Sequence, residues 1–592
     1  MASTLVHRLF QFAADQPSAP ALHGHDPQGK PTLLTWGDYG TQVREVAAGL
    51  AGLGVNAEDR VGIIANNRPE WVIAQFGIMS ANAVPAPMYT TLQAEQCAFV
   101  LDHADLTVVF CDTAEQAAKL REAAGSRALK IIALVPFEAE DVTTLDELRA
   151  LGRVDLSVAQ ARIDAIDPDA MGLLIYTSGT TGEPKGVMLR HRGLTLMADA
   201  TLDRFPHLKN GIKYVSYLPL CHVAEQLMTN YFQLSSGGEV WFIEDPKDIR
   251  DALLEVRPEV FLGVPRVWEK MQAALEARLR EATGLRAALA RWALATELRG
   301  FDADVKRNDG KERVGLLRRL ARRLVVTRIK EAIGLDQVGV AVTGAAPISE
   351  STLRFFASIG LIIYEGYGMS ETSGVATSAE YRRPRFGTVG KPLNCVEIQI
   401  ADDGEILLRG PIMTTGYLHR EVLTAELLDG EGWVHTGDIG NLDAEGNLTI
   451  TGRKKDILIT AGGKNIAPAE LEAYIQSIEG VGQAMVVGDR QPYLAALVTL
   501  DPEALGAVAQ GAGVPEAELS ALAQQPEVAA WVQSQIEEKC NARVARVQTV
   551  KKARVLPTEF TVDGGELTPT MKLRRKVVMQ RYADDIATLY AG

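Results

Sequence analysis

The run Tyr176-Thr177-Ser178-Gly179-Thr180-Thr181-Gly182-Glu183-Pro184-Lys185-Gly186 directly follows the apolar stretch Leu173-Leu174-Ile175. Its glycines let the backbone turn tightly and bring N–H groups up to a ligand with no Cβ in the way. Its hydroxyls and Lys185 add side-chain donors and one positive charge. Donors concentrated in this way after a strand-like segment suit a chain of phosphates better than a solvated Ser/Thr/Gly loop. A Walker-type loop is excluded. The Gly-Lys pairs at Lys30, Lys311, Lys391 and Lys464 are followed by Pro, Glu or Asn, where that loop needs Ser or Thr. The dinucleotide fingerprint G-x-G-x-x-G does not occur either.

Outward from this run, strand and helix signals alternate. Thr35-Trp36-Gly37-Asp38 has the form of a capping box, and Tyr39, Val43, Val46 and Leu50 follow at helical spacing. Residues 60–65 read as a buried strand, and a helix opens at Pro69. Strand-like runs at 107–111 and 129–134 bracket another helix, and the pattern returns as strand 338–343, helix 349–359 and strand 361–364. Such alternation predicts an α/β fold on a parallel sheet. After about Arg385 the texture becomes antiparallel. Residues 396–400 and 405–409 flank Asp402-Asp403-Gly404, and a second hairpin runs through 443–446. A helix over 468–478, a strand pair over 483–500 and a helical stretch over 516–540 then follow. The expected organisation is a large N-terminal domain, residues 1–454, of parallel-sheet α/β layers plus an antiparallel β section. A small mobile α+β domain, residues 455–592, completes it.

The 592 residues are 47% hydrophobic and 23% charged, values of an ordinary globular protein of two or more domains. A net charge of −14 speaks against a nucleic-acid partner. Five scattered cysteines, an odd count with no C-x-x-C pair, disfavour a disulfide framework or a zinc site and fit a reducing cytoplasm. The N-terminus reads as a short amphipathic helix with Leu5, Leu9 and Phe12 on one face, not as a signal peptide. No stretch reaches the ~18 apolar residues of a membrane span. The segment 278–330 is helical and strongly basic, with Leu316, Leu317, Leu320 and Leu324 near one face and Arg318, Arg319, Arg322 and Arg323 around them. Two readings stay open for it: a helix meeting anionic lipid at a membrane surface, or a solvated helix packed on the domain.

Further motifs follow the glycine-rich run in order. Gly344-Ala345-Ala346-Pro347 has little side-chain bulk, so a flat purine can lie on its backbone; the alternative is a plain turn into a helix. Tyr364-Glu-Gly-Tyr367-Gly-Met-Ser-Glu371-Thr372 offers an aromatic ring and a carboxylate, a hard oxygen ligand suited to Mg²⁺ or, otherwise, a helix cap. Residues 368–372 narrowly miss a hydrolase nucleophile elbow, lacking its last glycine. Trp433-Val-His-Thr-Gly437-Asp438, Gly452-Arg453-Lys454-Lys455-Asp456 and Gly564-Gly-Glu-Leu-Thr-Pro-Thr-Met571-Lys572-Leu-Arg-Arg575 complete the series. In this order, over nearly the whole chain, they resemble the adenylate-forming superfamily of acyl-CoA synthetases, luciferases and peptide-synthetase adenylation domains. Ser216-Tyr-Leu-Pro-Leu-Cys-His222, the basic insertion and Glu566-Leu-Thr-Pro-Thr-Met-Lys572 are most similar to the long-chain and bubblegum-type branch of AMP-forming acyl-CoA synthetases.

The resemblance implies a fatty carboxylate as substrate and ATP, Mg²⁺ and coenzyme A as cofactors, with an acyl-adenylate between two half-reactions. It assigns the β- and γ-phosphates to Thr177, Ser178, Gly179, Thr180, Thr181, Gly182 and Lys185, and adenine to Gly344, Ala345, Ala346 and Tyr367. Mg²⁺ falls to Glu371, the α-phosphate to Thr372, and the ribose to Asp438 and Arg453. Lys455 is the implied hinge. Lys572 would bridge substrate carboxylate and nucleotide, and His222 would stand near the reacting carbonyl or simply pack. Met571 departs from the glycine usual before that lysine. Two alternatives remain: a fatty acyl-AMP ligase handing its product to a carrier protein on another chain, or a nucleotide-binding scaffold without chemistry. A cytoplasmic protein, peripheral to a membrane if the basic segment touches one, is the expected location.

Overall fold

The computed structural model describes residues 3–177, 183–209, 211–462, 464–568 and 571–591. The expected alternation is present. Val84–Met88, Arg60–Ile64, Val108–Cys111, Lys130–Ala133 and Val142–Thr144 lie side by side in that order as an all-parallel sheet. Strands buried on both faces carry continuous apolar runs, which is why Val108-Val-Phe-Cys111 shows no alternation. Helix Trp36–Gly52 starts at the foreseen capping box, with the Thr35 hydroxyl accepting from the Asp38 amide.

A second sheet places Val260–Leu262, Val340–Thr343 and Ile363–Met369 parallel, then adds Gly374–Ser378 and Lys391–Pro392 antiparallel. The glycine-rich run joins the two strands of an antiparallel hairpin, Met171–Thr177 and Lys185–Arg190, with Thr177 opposite Lys185. Glu397–Ile400, Glu405–Arg409, Val434–Leu442 and Leu448–Arg453 form the expected antiparallel meander. Beyond it, Val481–Val487 and Leu494–Leu500 pair antiparallel, and Val550–Leu556 joins them in parallel. The buried clusters of residues 5–448 and of residues 466–589 share no member, so each part has its own core.

In the basic segment the structure decides which side chains are covered, which the sequence leaves open. Helix Gly284–Arg307 turns back into Leu316–Ala321, a π-helical turn at Arg322–Val326 and Thr327–Glu331. Besides Ala321 and Val326, two arginines face inward. Arg318 donates to Glu297 Oε1 at 2.8 and 3.0 Å, and Arg322 Nε donates to Glu297 Oε2 at 2.9 Å, with Glu297 fully buried. Burial alone pushes a carboxyl up, but these two guanidiniums outweigh it and hold Glu297 below its ordinary value. Leu316, Leu317, Leu320 and Leu324 point outward instead, 82%, 65%, 46% and 36% exposed. Glu297→Ala removes the only buried partner of two guanidiniums, leaving them Asp304 and Glu312, and is expected to cost about 3 kcal/mol in denaturant unfolding; a loss under 1 kcal/mol would mean the network is not structural. No helix among the described residues is long and apolar enough to cross a membrane.

Candidate active site

Strand Ile363–Met369 of the second sheet and strand Val434–Leu442 of the meander meet at Tyr367 and Asp438. The Tyr367 hydroxyl donates to Asp438 Oδ2 at 2.7 Å, and Arg453 Nε donates to Asp438 Oδ1 at 2.8 Å. Arg453 reaches that carboxylate because its strand pairs in register with the one carrying Asp438. Burial opposes the Arg453 charge, but Asp438 more than compensates, so the guanidinium is held more firmly protonated than usual. Gly344 lies so close to Gly366 that a Cβ on it would stand 2.9 Å from the Gly366 carbonyl oxygen. Ala345 takes the left-handed region at φ +67°, which an L-residue adopts only under strain. The result is a bare backbone ledge, with Ala345 and Ala346 exposed, beside the Tyr367 strand.

Glu371 is buried, and its Oε1 accepts from the Tyr417 hydroxyl at 2.7 Å. The other oxygen has no hydrogen-bond partner among the described residues, which leaves it available to a hard cation. Among those residues no group of three or more His, Cys, Asp or Glu side chains is placed to hold a metal by itself. A Mg²⁺ on Glu371 would therefore take its other oxygens from phosphate and water, a common arrangement for this ion. Lys185 Nζ lies 4.7 Å from the centre of the Tyr417 ring, so one tyrosine touches both the end of the glycine-rich hairpin and the carboxylate. Nothing in the sequence marks Tyr417, a lone aromatic in an irregular loop. Ser178, Gly179, Thr180, Thr181 and Gly182 lie outside the described residues.

Thr372 is placed otherwise than its expected role requires. It is fully buried, and its hydroxyl lies 2.6 Å from the Gly374 carbonyl and 2.9 Å from that of Met369, while accepting from the Met369 amide at 3.0 Å. That hydroxyl is committed to the turn. Two residues earlier, the Ser370 hydroxyl has no hydrogen-bond partner among the described residues and remains free to donate.

His222 and Lys572 come from distant parts of the chain and meet here. His222 Nδ1 accepts from the Ala224 amide at 3.2 Å, capping the short helix Val223–Glu225. Burial, then the Lys572 ammonium, pushes the imidazole down to about 4. It is therefore neutral at physiological pH, and with Nδ1 accepting, the proton sits on Nε2 as a donor. Lys572 stands at a tight turn, its amide donating to Thr568 Oγ1 at 3.1 Å and its carbonyl accepting from the Thr568 amide at 2.8 Å. Met571 before it has φ +60°, which explains why glycine is usual there: only glycine reaches that region without a steric penalty. The Lys572 side chain is solvent-reached, yet protein surrounds it. This crowding disfavours its charge, Arg453 adds to the effect, and Asp438 and Glu371 oppose it. The ammonium thus lies among His222, Glu371, Asp438 and Arg453.

Ion pairs bridge the two cores. Arg266 and Lys270 on helix Pro265–Glu281 pair with Asp501 and Glu503, and Arg280 lies 3.6 Å from Glu479. Next to Arg453, Lys454 is tied to Asp403 and Glu405, whereas the Lys455 side chain is exposed and makes no ion pair among the described residues.

Residues 9–418 match the model of the AMP-binding enzyme family, and residues 455–592 match that of the AMP-binding enzyme C-terminal domain. The chain is 37% identical over 590 residues to the long-chain-fatty-acid–CoA ligase FadD15 of Mycobacterium tuberculosis, covering 98% of this chain and 96% of that protein. It is 34% identical to the long-chain-fatty-acid–CoA ligase ACSBG2 of Gallus gallus, covering 99% of this chain and 81% of that one. Among solved structures, ATP-bound MatB from Rhodopseudomonas palustris superposes with a TM-score of 0.72 at 22% identity, covering 99% of each chain. The o-succinylbenzoate CoA synthetase MenE of Bacillus subtilis, solved with its acyl-adenylate OSB-AMP, gives a TM-score of 0.67 at 21% identity, covering 96% of this chain and 97% of that one. The chain belongs to the AMP-binding enzyme family, with the adenylate-forming fold.

Proposed function

We propose that this protein is an ATP-dependent long-chain fatty acid–CoA ligase that works through an acyl-adenylate and releases AMP and pyrophosphate. One observation carries the reading: a lysine from the C-terminal core stands among Glu371, Asp438, Arg453 and His222 of the N-terminal one. Residues 1–454 and 455–592 then act as two bodies. In the first half-reaction a carboxylate oxygen attacks the α-phosphorus of ATP, and pyrophosphate leaves. Lys572 offsets the repulsion between the two anions as they meet. Asp438 and Arg453 hold the ribose, the Gly344–Ala346 ledge and Tyr367 the adenine, and Thr177 to Lys185 the outer phosphates. The Ser370 hydroxyl, rather than that of Thr372, donates to the α-phosphate. His222 Nε2–H donates to the substrate carboxylate and orients it. Glu371 would hold Mg²⁺, which when bound would neutralise charge on the phosphates. In the second half-reaction the CoA thiol attacks the acyl carbon, AMP leaves as the phosphate anion, and the thiol proton passes to solvent.

The assay that tests the whole reading is AMP production across a series of carboxylic acids with and without CoA. Thiol-independent turnover would favour the carrier-protein alternative, and no pyrophosphate with any acid would favour a scaffold. Glu371→Gln keeps the shape and removes the charge. It is expected to raise the Mg²⁺ concentration for half-maximal adenylation by about tenfold and to slow the step; an unchanged Mg²⁺ titration counts against this role. The interdomain pairs support a second expectation. Arg266→Glu with Lys270→Glu turns two attractions into repulsions, so adenylation slows while conversion of preformed adenylate is spared. Equal effects on both half-reactions would remove these pairs from the account. A contact of the 278–330 segment with a membrane surface belongs to the same proposal.

A further inference from the structure

We infer that the outer face of the Leu316–Glu331 helix docks on an anionic lipid bilayer, with leucines entering the interface and Arg319 and Arg323 meeting lipid phosphates. This rests on the membrane contact proposed above and names the residues that make it.

A helix packed on a globular domain normally turns its leucines inward and its charges outward. Here the order is reversed. Glu297, Asp304 and Glu312 neutralise Arg318 and Arg322 from beneath. Leu316, Leu317, Leu320 and Leu324 are left in solvent. At 100° per residue these leucines occupy one arc of the helix, and Arg319 and Arg323 lie along its edge. Arg319, Arg323 and Arg328 are exposed and make no ion pair among the described residues, in a chain whose net charge is −14. Exposed leucines bordered by unpaired guanidiniums match the two layers of a bilayer surface, the acyl boundary and the phosphates above it. Arginine stems lying along apolar surface with the head group at phosphate level fit the same geometry. The ion-pair network around buried Glu297 ties the hairpin together, so docking carries little ordering cost.

The test is co-sedimentation of the full chain with phosphatidylcholine vesicles, with and without phosphatidylglycerol. Wild type should bind the anionic vesicles, less at high salt, and pure phosphatidylcholine weakly. Leu317→Ser, Leu320→Ser and Leu324→Ser combined, and separately Arg319→Glu with Arg323→Glu, should each lower partitioning by about tenfold or more. Both variants change exposed side chains only, and thermal unfolding checks that they stay folded. Val154→Ser, at an apolar residue 83% exposed elsewhere, should bind as wild type does. Wild type that ignores anionic vesicles would overturn membrane contact altogether. Wild-type binding that survives both variants would overturn this face alone. Self-association without lipid, lost in the leucine variant, would assign the face to a second copy of the chain. None of these outcomes bears on ligase activity with a dissolved acid, which is measured separately.

Discussion

The Lys572→Ala variant is expected to lose carboxylate-dependent pyrophosphate release by about two to three orders of magnitude while still binding ATP. The physical reason lies in the position of the ammonium. It stands among Glu371, Asp438, Arg453 and His222, where the proposed reaction brings a carboxylate and a triphosphate together. Without it, the barrier contains an unscreened repulsion in a crowded cleft. Crowding and Arg453 also make the ammonium give up its proton at lower pH than a free lysine does. Adenylation should therefore fall off on the alkaline side below the ordinary lysine value of about 10.4. Lys572→Arg, which stays charged, should remove that limb if it retains activity. Conversion of synthetic acyl-adenylate to acyl-CoA should survive in Lys572→Ala, because no second anion has to approach. Full adenylation by this variant would end the assignment.

Lys455→Pro is the second substitution with a large expected effect. Adenylation should persist, and thioester formation from preformed adenylate should fall by about a hundredfold or more. The proposed second half-reaction needs CoA rather than Lys572 at the acyl carbon, and on that reading the C-terminal body takes a different orientation. The pivot should lie where the chain is least held. Lys454 is fastened by Asp403 and Glu405, and its amide donates to the Gly437 carbonyl at 2.8 Å, while Lys455 carries no such tie. Proline fixes φ near −65° and blocks the large dihedral change a hinge needs. Equal losses in both half-reactions, on a variant shown to be folded, would reject the pivot.

Local features of the chain were readable because their causes are local. The capping box at Thr35, the hairpin at Asp402-Asp403-Gly404 and the apolar run at 108–111 each contain their own physical reason within a few residues. The order of motifs from Thr177 to Lys572 likewise determined the family and the nucleotide chemistry. Tertiary packing decided what depends on partners far along the chain. Thr372 looks like a donor in sequence, but the turn at Met369–Gly374 consumes its hydroxyl and leaves Ser370 free. Tyr417 joins Lys185 to Glu371 only because two distant loops meet. Met571 shows no strain until the turn puts it at φ +60°. The 316–331 helix makes the same point most fully. Its spacing places leucines and arginines around one cylinder but cannot say which side is covered. Glu297, fully buried on a neighbouring helix, decides that, because a buried carboxylate must be paired and only the arginines can pair it.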